Sequence, residues 1–138
     1  MPTFSWFYSW RCAAICLLLA GPIHAAETWV ITDANHPITG QPDRLIVLDA
    51  AQQIERDLSK DLPADSQQAA ALVQQRLNAG GVTLQKQLAG AYQGVTDAWS
   101  LGITSLPAIV VDQRYVVYGE TDVARAVARI EQYRRAQP

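Results

Sequence analysis

The sequence predicts one α/β domain in which about four short strands are flanked by helices. Three observations predict it. Thr28–Thr32, Leu45–Leu48, Ala108–Val111 and Tyr115–Tyr118 are runs of apolar, β-branched and aromatic residues with the length of strands. Between and after them, apolar residues recur at helical spacing. Of the 138 residues, 49% are hydrophobic and 17% charged, enough for a core and too apolar for a disordered chain. The formal net charge is −2, and eleven Lys and Arg are scattered along the chain without a basic stripe, so direct nucleic-acid binding is not expected.

A segment of different character precedes the first strand. Arg11 is the only charge before Glu27, Cys12–Ala20 is a short apolar run, Gly21 and Pro22 break it, and Ile23-His24-Ala25 ends on a small residue. That is the order of a secretory signal, so residues 1–25 are expected to be removed on export, leaving a single domain over residues 26–138 in the periplasm. The alternative is an uncleaved anchor, because Phe4, Trp6, Phe7, Tyr8 and Trp10 extend the apolar stretch. Arg11 interrupts that stretch, however, and the run behind it falls well short of the roughly 20 residues of a spanning helix. Membrane contact is therefore expected only transiently, through the signal, and neither cysteine sits where a lipid anchor would need one. Cleavage removes Cys12, Cys16, His24 and Arg11. What remains has no cysteine, one histidine (His36), and ten basic against thirteen acidic residues, a net charge of −3. Such a chain has no disulfide, no thiol nucleophile and no Cys-rich or His-cluster metal site, and no cofactor is expected.

Thr28–Thr32 is the first expected strand. Asp33–Asp43 follows, dense in turn formers, with Pro37, Gly40 and Pro42 excluding regular structure. Leu45–Leu48 is continuously apolar and is expected to be buried on both faces. A parallel pairing of these two strands would normally need a longer crossover than eleven turn-rich residues. Three helical stretches come next. Ala51, Ile54 and Leu58 share a face in the first, which Pro63 ends. Asp65 and Gln68 make a capping-box start for the second, whose stripe of Ala69, Leu72, Val73 and Leu77 stops at Gly80-Gly81. In the third, from about Val82 to Leu101, the stripe is Leu84, Leu88, Ala91, Val95 and Trp99, with Trp99 read as core and Gly102 as the C-terminal cap. Ala108–Val111 and Tyr115–Tyr118 form a hairpin across Asp112-Gln113-Arg114. Thr121 caps a last helix with Val123, Val127, Ile130 and Tyr133 inward and a Glu131–Arg135 pair at i,i+4.

The segment Gly102-Ile103-Thr104-Ser105-Leu106-Pro107-Ala108, followed by Ile109–Val111, Tyr115–Gly119 and a helix, resembles the second half of the thioredoxin fold. In that family a helix ends at Gly-Ile/Val, a short loop leads to a cis-proline, and a β-hairpin and final helix follow. The resemblance implies a thioredoxin-like α/β fold, a small mixed sheet of about four strands flanked by helices, with Pro107 at the cis-proline position. The first half is degenerate. His36-Pro37-Ile38-Thr39 resembles the family's Cys-x-x-Cys motif with His36 and Thr39 in place of the thiols, and the helix that should follow is missing.

Over nearly everything after Glu27 the chain resembles a family of small exported proteins of integrating conjugative elements. Thr32–Pro37, Leu48-Asp49-Ala50, Ala91–Val95, Asp97–Gly102, Leu106–Asp112 and Tyr115–Gly119 carry that resemblance. The family is itself similar to thioredoxin-like pilus-assembly proteins of conjugative type IV secretion systems. The resemblance implies a periplasmic part in conjugative transfer, with other apparatus proteins as partners.

Residues with chemistry to offer are few. Disulfide exchange needs a thiolate, which the exported chain lacks. A hydrolase would use His36 oriented by Asp33, with Thr39 or Ser105 supplying a hydroxyl, but no Gly-x-Ser-x-Gly elbow is present. Asp57 with Asp61, and Glu120 with Asp122, fit solvated faces and helix N-termini rather than a catalytic carboxylate pair. Gly80-Gly81 lacks the Lys-Ser/Thr of a phosphate loop. Gly90 and Gly94, four apart in a helix, suggest close approach of a neighbour or merely tolerated glycines. The expected surface is therefore one for binding: the loop of Asp33, His36 and Pro37, the turn at Leu106-Pro107 beside it at one end of the sheet, and Tyr115 and Tyr118 on an edge strand.

Overall fold

Thr28–Thr32 forms β1, and the rest of the sheet is assembled around it. In the computed structural model, which describes residues 25–138, the strand order is β2-β1-β3-β4, with β2 at Arg44–Val47, β3 at Ala108–Val111 and β4 at Tyr115–Tyr118. β2 runs parallel to β1, whereas β3 is antiparallel to both β1 and β4. The expected mixed four-strand sheet is thus present. The expected signal segment and both cysteines lie outside the described residues, Ala25 excepted. Among the described residues, no helix is long and apolar enough to cross a membrane.

The eleven-residue crossover between β1 and β2 does make a parallel connection, without a helix. At up to about 3.3 Å per residue it has ample reach to return along a strand. Two attachments hold it. Midway, Thr39 bridges Asp122: its amide donates to the Thr121 carbonyl (2.8 Å) and its carbonyl accepts from the Val123 amide (3.0 Å). At its end, the Asp43 carboxylate accepts from both the amide (2.7 Å) and the hydroxyl (2.9 Å) of Thr28. Ile38 packs on the core formed by Val30, Ile109, Val123 and Ala126, so the crossover helps to cover that face of the sheet.

The central strands are mostly apolar and buried on both faces, with Trp29 partly exposed. Val30, Ile31, Ala108 and Ile109 have no exposed surface. β2 departs from expectation. It is an edge strand in which Ile46 is buried and Leu45 is 54% exposed, because no further strand flanks it.

On one face lie α1 (Ala50–Ser59) and α2 (Ser66–Ser100); on the other lies α3 (Val123–Ala136). α2 is two helical arms joined at Gly81, where φ 50° and ψ −142° leave helical geometry, as the glycine pair predicts. Asp65 caps the first arm by accepting from the Gln68 amide (2.8 Å). Arg76 reaches the Leu58 and Lys60 carbonyls (2.8 and 2.6 Å), tying that arm to the end of α1. The second arm packs on the sheet through a different stripe from the one expected. Gly94 and Ala98 are buried, Val95 is 43% exposed and Trp99 82% exposed. The reason is proximity: a Cβ on Gly94 would stand 2.9 Å from the Ile46 Cγ2, so only small residues fit this contact. Arg44 fixes the docking, lying 4.4 Å over the Trp29 ring and pairing with Asp97.

At α3 the cap is Asp122 rather than Thr121: its carboxylate accepts from the Arg125 amide (3.1 Å). The inward face is Val123, Ala126 and Ile130, with Val127 partly buried and Tyr133 56% exposed. The Glu131–Arg135 pair forms at 3.3 Å.

Candidate functional site

The chain leaves β1 at Thr32 and turns at once. Asp33 makes the turn by accepting the Asn35 amide on Oδ1 (3.0 Å), while its carbonyl accepts the His36 amide (3.2 Å). The Thr32 hydroxyl donates to the His36 carbonyl (2.7 Å), and the Ala34 amide donates to Asp49 at the foot of α1 (3.2 Å). Five residues are thereby held with little freedom. In this frame the His36 Nδ1 lies 2.6 Å from the Asp33 Oδ1. That hydrogen bond, with the Asn35 amide, keeps the Asp33 carboxyl below its ordinary value of 3.8. With Asp33 ionised, the proton of this contact lies on Nδ1, which donates to the carboxylate. The His36 side chain is 41% exposed.

The turn opens into a shallow cavity of about 370 Å³, whose far wall is Leu45 and Val47 of β2 and Gln53 of α1. Neither Leu106 nor Pro107 lines it. The Leu106–Pro107 peptide is cis and precedes Ala108, which pairs with Ile31, so this turn is at the same end of the sheet as His36. Leu106 packs on the core beneath Ile31 and Val110. Tyr118 pairs with Ala108 and belongs to this end of the sheet; Tyr115 pairs with Val111 at the other. There its ring meets Tyr133 edge-on, 6.3 Å between centroids, with Arg134 4.5 Å from its centre. The seven residues therefore fall into three places: the His36 turn, the Leu106-Pro107 turn and the β4 edge.

A larger cleft, about 620 Å³, lies between β2, α1 and the second arm of α2. Its lining includes Arg44, Ile54, Asp57, Gln87 and Gly90, and it shares Leu45, Val47 and Gln53 with the His36 cavity. The two hollows are therefore neighbours along the β2 edge. Gly90 and Gly94 signal this cleft in the sequence: Gly94 admits Ile46, while a Cβ on Gly90 would meet nothing within 4 Å. Gln53 carries no such signal; being polar on a helix, it reads as surface.

Chemically, the His36 turn offers one imidazole, one carboxylate and backbone groups. The hydrogen bonds of the ring and main chain of His36 go to Asp33 and Thr32; Thr39 and Ser105 are not among its partners in the described residues. No group of three or more His, Cys, Asp or Glu among the described residues could hold a metal ion. The arrangement suits hydrogen bonding to a ligand better than a nucleophile–base relay.

No curated protein and no solved structure matches the chain. A family model described as "Protein of unknown function (DUF1525)" matches residues 25–136, which takes in every strand and helix described above. By that match, the chain belongs to the DUF1525 family.

Proposed function

We propose that this protein is a non-catalytic, periplasmic accessory or assembly component of an integrating conjugative element's transfer (type IV secretion) apparatus, acting by protein binding. One observation carries the reading. A sheet entered through a proline turn, with a terminal hairpin and helix, is the arrangement a thioredoxin-like chain would have, yet no residue from 25 to 138 is a cysteine. A scaffold of that kind without a thiolate cannot exchange disulfides, which favours recognition as its use. The conjugative context rests on the sequence resemblance that runs through the chain after Glu27.

The binding surface in this reading is the His36 turn continued along β2, where the 370 Å³ cavity and the larger cleft adjoin. Donor cells lacking the gene should lose transfer, and wild-type protein should restore it. His36→Ala should fold normally and weaken capture of its apparatus partner about tenfold, equivalent to about 1.4 kcal/mol. Normal transfer and normal capture with His36→Ala would remove this surface from the mechanism.

The 2.6 Å Asp33–His36 contact also supports a second reading, an exported hydrolase-like enzyme with His36 as base. Incubation of purified protein with esterase, nuclease and peptidoglycan substrates decides between them. Turnover abolished by His36→Ala would replace the binding reading; no turnover would retire the enzyme.

A further inference from the structure

β2 is the edge of the sheet beside the His36 turn, and its outward groups can be assigned. A strand in a parallel pair bonds to its neighbour through alternate residues. The Leu48 amide donates to the Thr32 carbonyl (2.9 Å), so in the observed register Ile46 and Arg44 also bond towards β1. The amides and carbonyls of Leu45 and Val47 therefore point away from the sheet, and no other group among the described residues hydrogen-bonds to them. A hollow lies on each face of this edge. The cavity of about 370 Å³ is on the α3 face, where Leu45 and Val47 share the side of Val30 and Thr32, and Ile38 and Gly40 lie towards Val123. The cleft of about 620 Å³ is on the other face, where Ile46 meets α2 and Gly90, Ala91 and Gly94 form the wall. An extended chain matches this arrangement, because successive side chains of a strand go to opposite faces. The hollows differ in chemistry. Pro37, Ile38, Pro42, Leu45 and Val47 make the smaller one an apolar receptor. The cleft has two charged side chains, Arg44 and Asp57. Arg44 is engaged with Asp97 and the Trp29 ring, whereas the Asp57 carboxylate has no ion pair or hydrogen bond among the described residues. A long basic side chain would lay its methylenes on Ile54 and Ala91 and bring its charge to Asp57.

Resting on the binding reading above, we propose that the partner supplies a single extended segment of alternating apolar and basic residues, added to the four-stranded sheet beside β2. Its main chain pairs with the outward amides and carbonyls of Leu45 and Val47. Its apolar side chains enter the His36 cavity, and its basic side chains enter the cleft. The fold selects one strand rather than the edge of another sheet. α1 stands across the cleft from β2, which leaves room beside Leu45 for a single chain and not for a folded domain or a second copy of this one. Charge selects the sign, since an acidic segment would set a carboxylate against Asp57.

Fluorescence anisotropy of the purified protein with labelled synthetic hexapeptides tests the proposal. The probe alternates valine and lysine. One control replaces the lysines by glutamate; the other keeps them but carries a methyl group on every peptide nitrogen, which removes main-chain donors and retains the charge. The probe should bind at least about tenfold more tightly than either control, and it should slow hydrogen exchange at the Leu45 and Val47 amides. Asp57→Asn should weaken it about fivefold, the scale of one partly screened ion pair. Gly90→Leu places a side chain in the open space of the cleft, where a Cβ meets nothing within 4 Å. It should weaken the probe at least about tenfold with no loss of helix content or melting temperature. A probe that does not bind, or that binds no better than either control, overturns the proposal. So does unaltered exchange at Leu45 and Val47, or undiminished binding by Asp57→Asn or by a folded Gly90→Leu. If the probe fails while His36→Ala still weakens partner capture, the added strand falls and the binding surface stands. If the probe behaves as expected but loss of the gene leaves transfer intact, the strand site stands and its part in transfer falls.

Discussion

Gly90 and Gly94 stand about one turn apart on the same helix and have opposite surroundings. A Cβ at residue 94 would press on Ile46 at 2.9 Å, whereas at residue 90 it would meet nothing within 4 Å. Gly94→Ala should therefore destabilise the protein, by up to about 2 kcal/mol, since overpacking costs roughly 1–3 and the gain in helix propensity returns about 1. Gly90→Ala should stabilise it by up to about 1 kcal/mol. Chemical denaturation of both variants checks the pair, and equal shifts would contradict the close docking of α2 on β2. At the same scale, three carboxyls are held below their ordinary value of 3.8: Asp33 chiefly by the His36 ring, Asp43 by the Thr28 amide and hydroxyl, and Asp97 by Gln93 and Arg44. A depressed carboxyl binds its proton more readily once unfolded, so stability rises with pH through the interval between its folded and unfolded values. The contribution is complete above about 4 and is lost as the pH falls through the lower folded values. Melting temperature should decline steeply below about pH 4, and Asp43→Asn should flatten that decline.

Among the elements, α3 separates two candidate caps. Asp122→Ala should cost about 1 kcal/mol, within the 0.5–2 typical of an N-cap, while Thr121→Ala should change little because Thr121 contributes its backbone carbonyl to the Thr39 bridge. Thermal melts of the two variants distinguish them. The strands and the helix limits were legible in the sequence because each is punctuated: turn residues around β1 and β2, Gly80-Gly81 at the break, Asp112-Gln113-Arg114 in the hairpin. The inward face of α2 was not. Counting bulky apolar residues selects Val95 and Trp99, but Ile46 comes so close that glycine and alanine occupy the contact and the stripe rotates by one residue after Ala91. Leu45 misleads for a related reason, since a short apolar run has the same composition at an edge as in the middle of a sheet. For the candidate site, the Asp33–His36 contact follows from their spacing in a turn. The wall supplied by Val47 and Gln53 comes from β2 and the start of α1, eleven and seventeen residues beyond His36, and nothing local encodes it.

Across the whole molecule, burial falls off from the centre of the sheet to the helical hairpin. β1 and β3 are enclosed on both sides, whereas no residue of the first arm of α2 is fully buried. Hydrogen exchange should be slowest at Val30, Ile31, Ile109 and Val110 and fastest, within helices, over residues 66–80, where opening needs little more than release of Arg76 from the carbonyls at the end of α1. Uniform protection across α2 would contradict the break at Gly81. The same gradient has a practical side. The connection between α1 and α2, around Pro63 and Ala64, is far in sequence from both the His36 turn and the β4 edge and is joined to the sheet only through its two helices. A fluorophore or epitope inserted there would report on this protein's whereabouts in the cell without touching either surface.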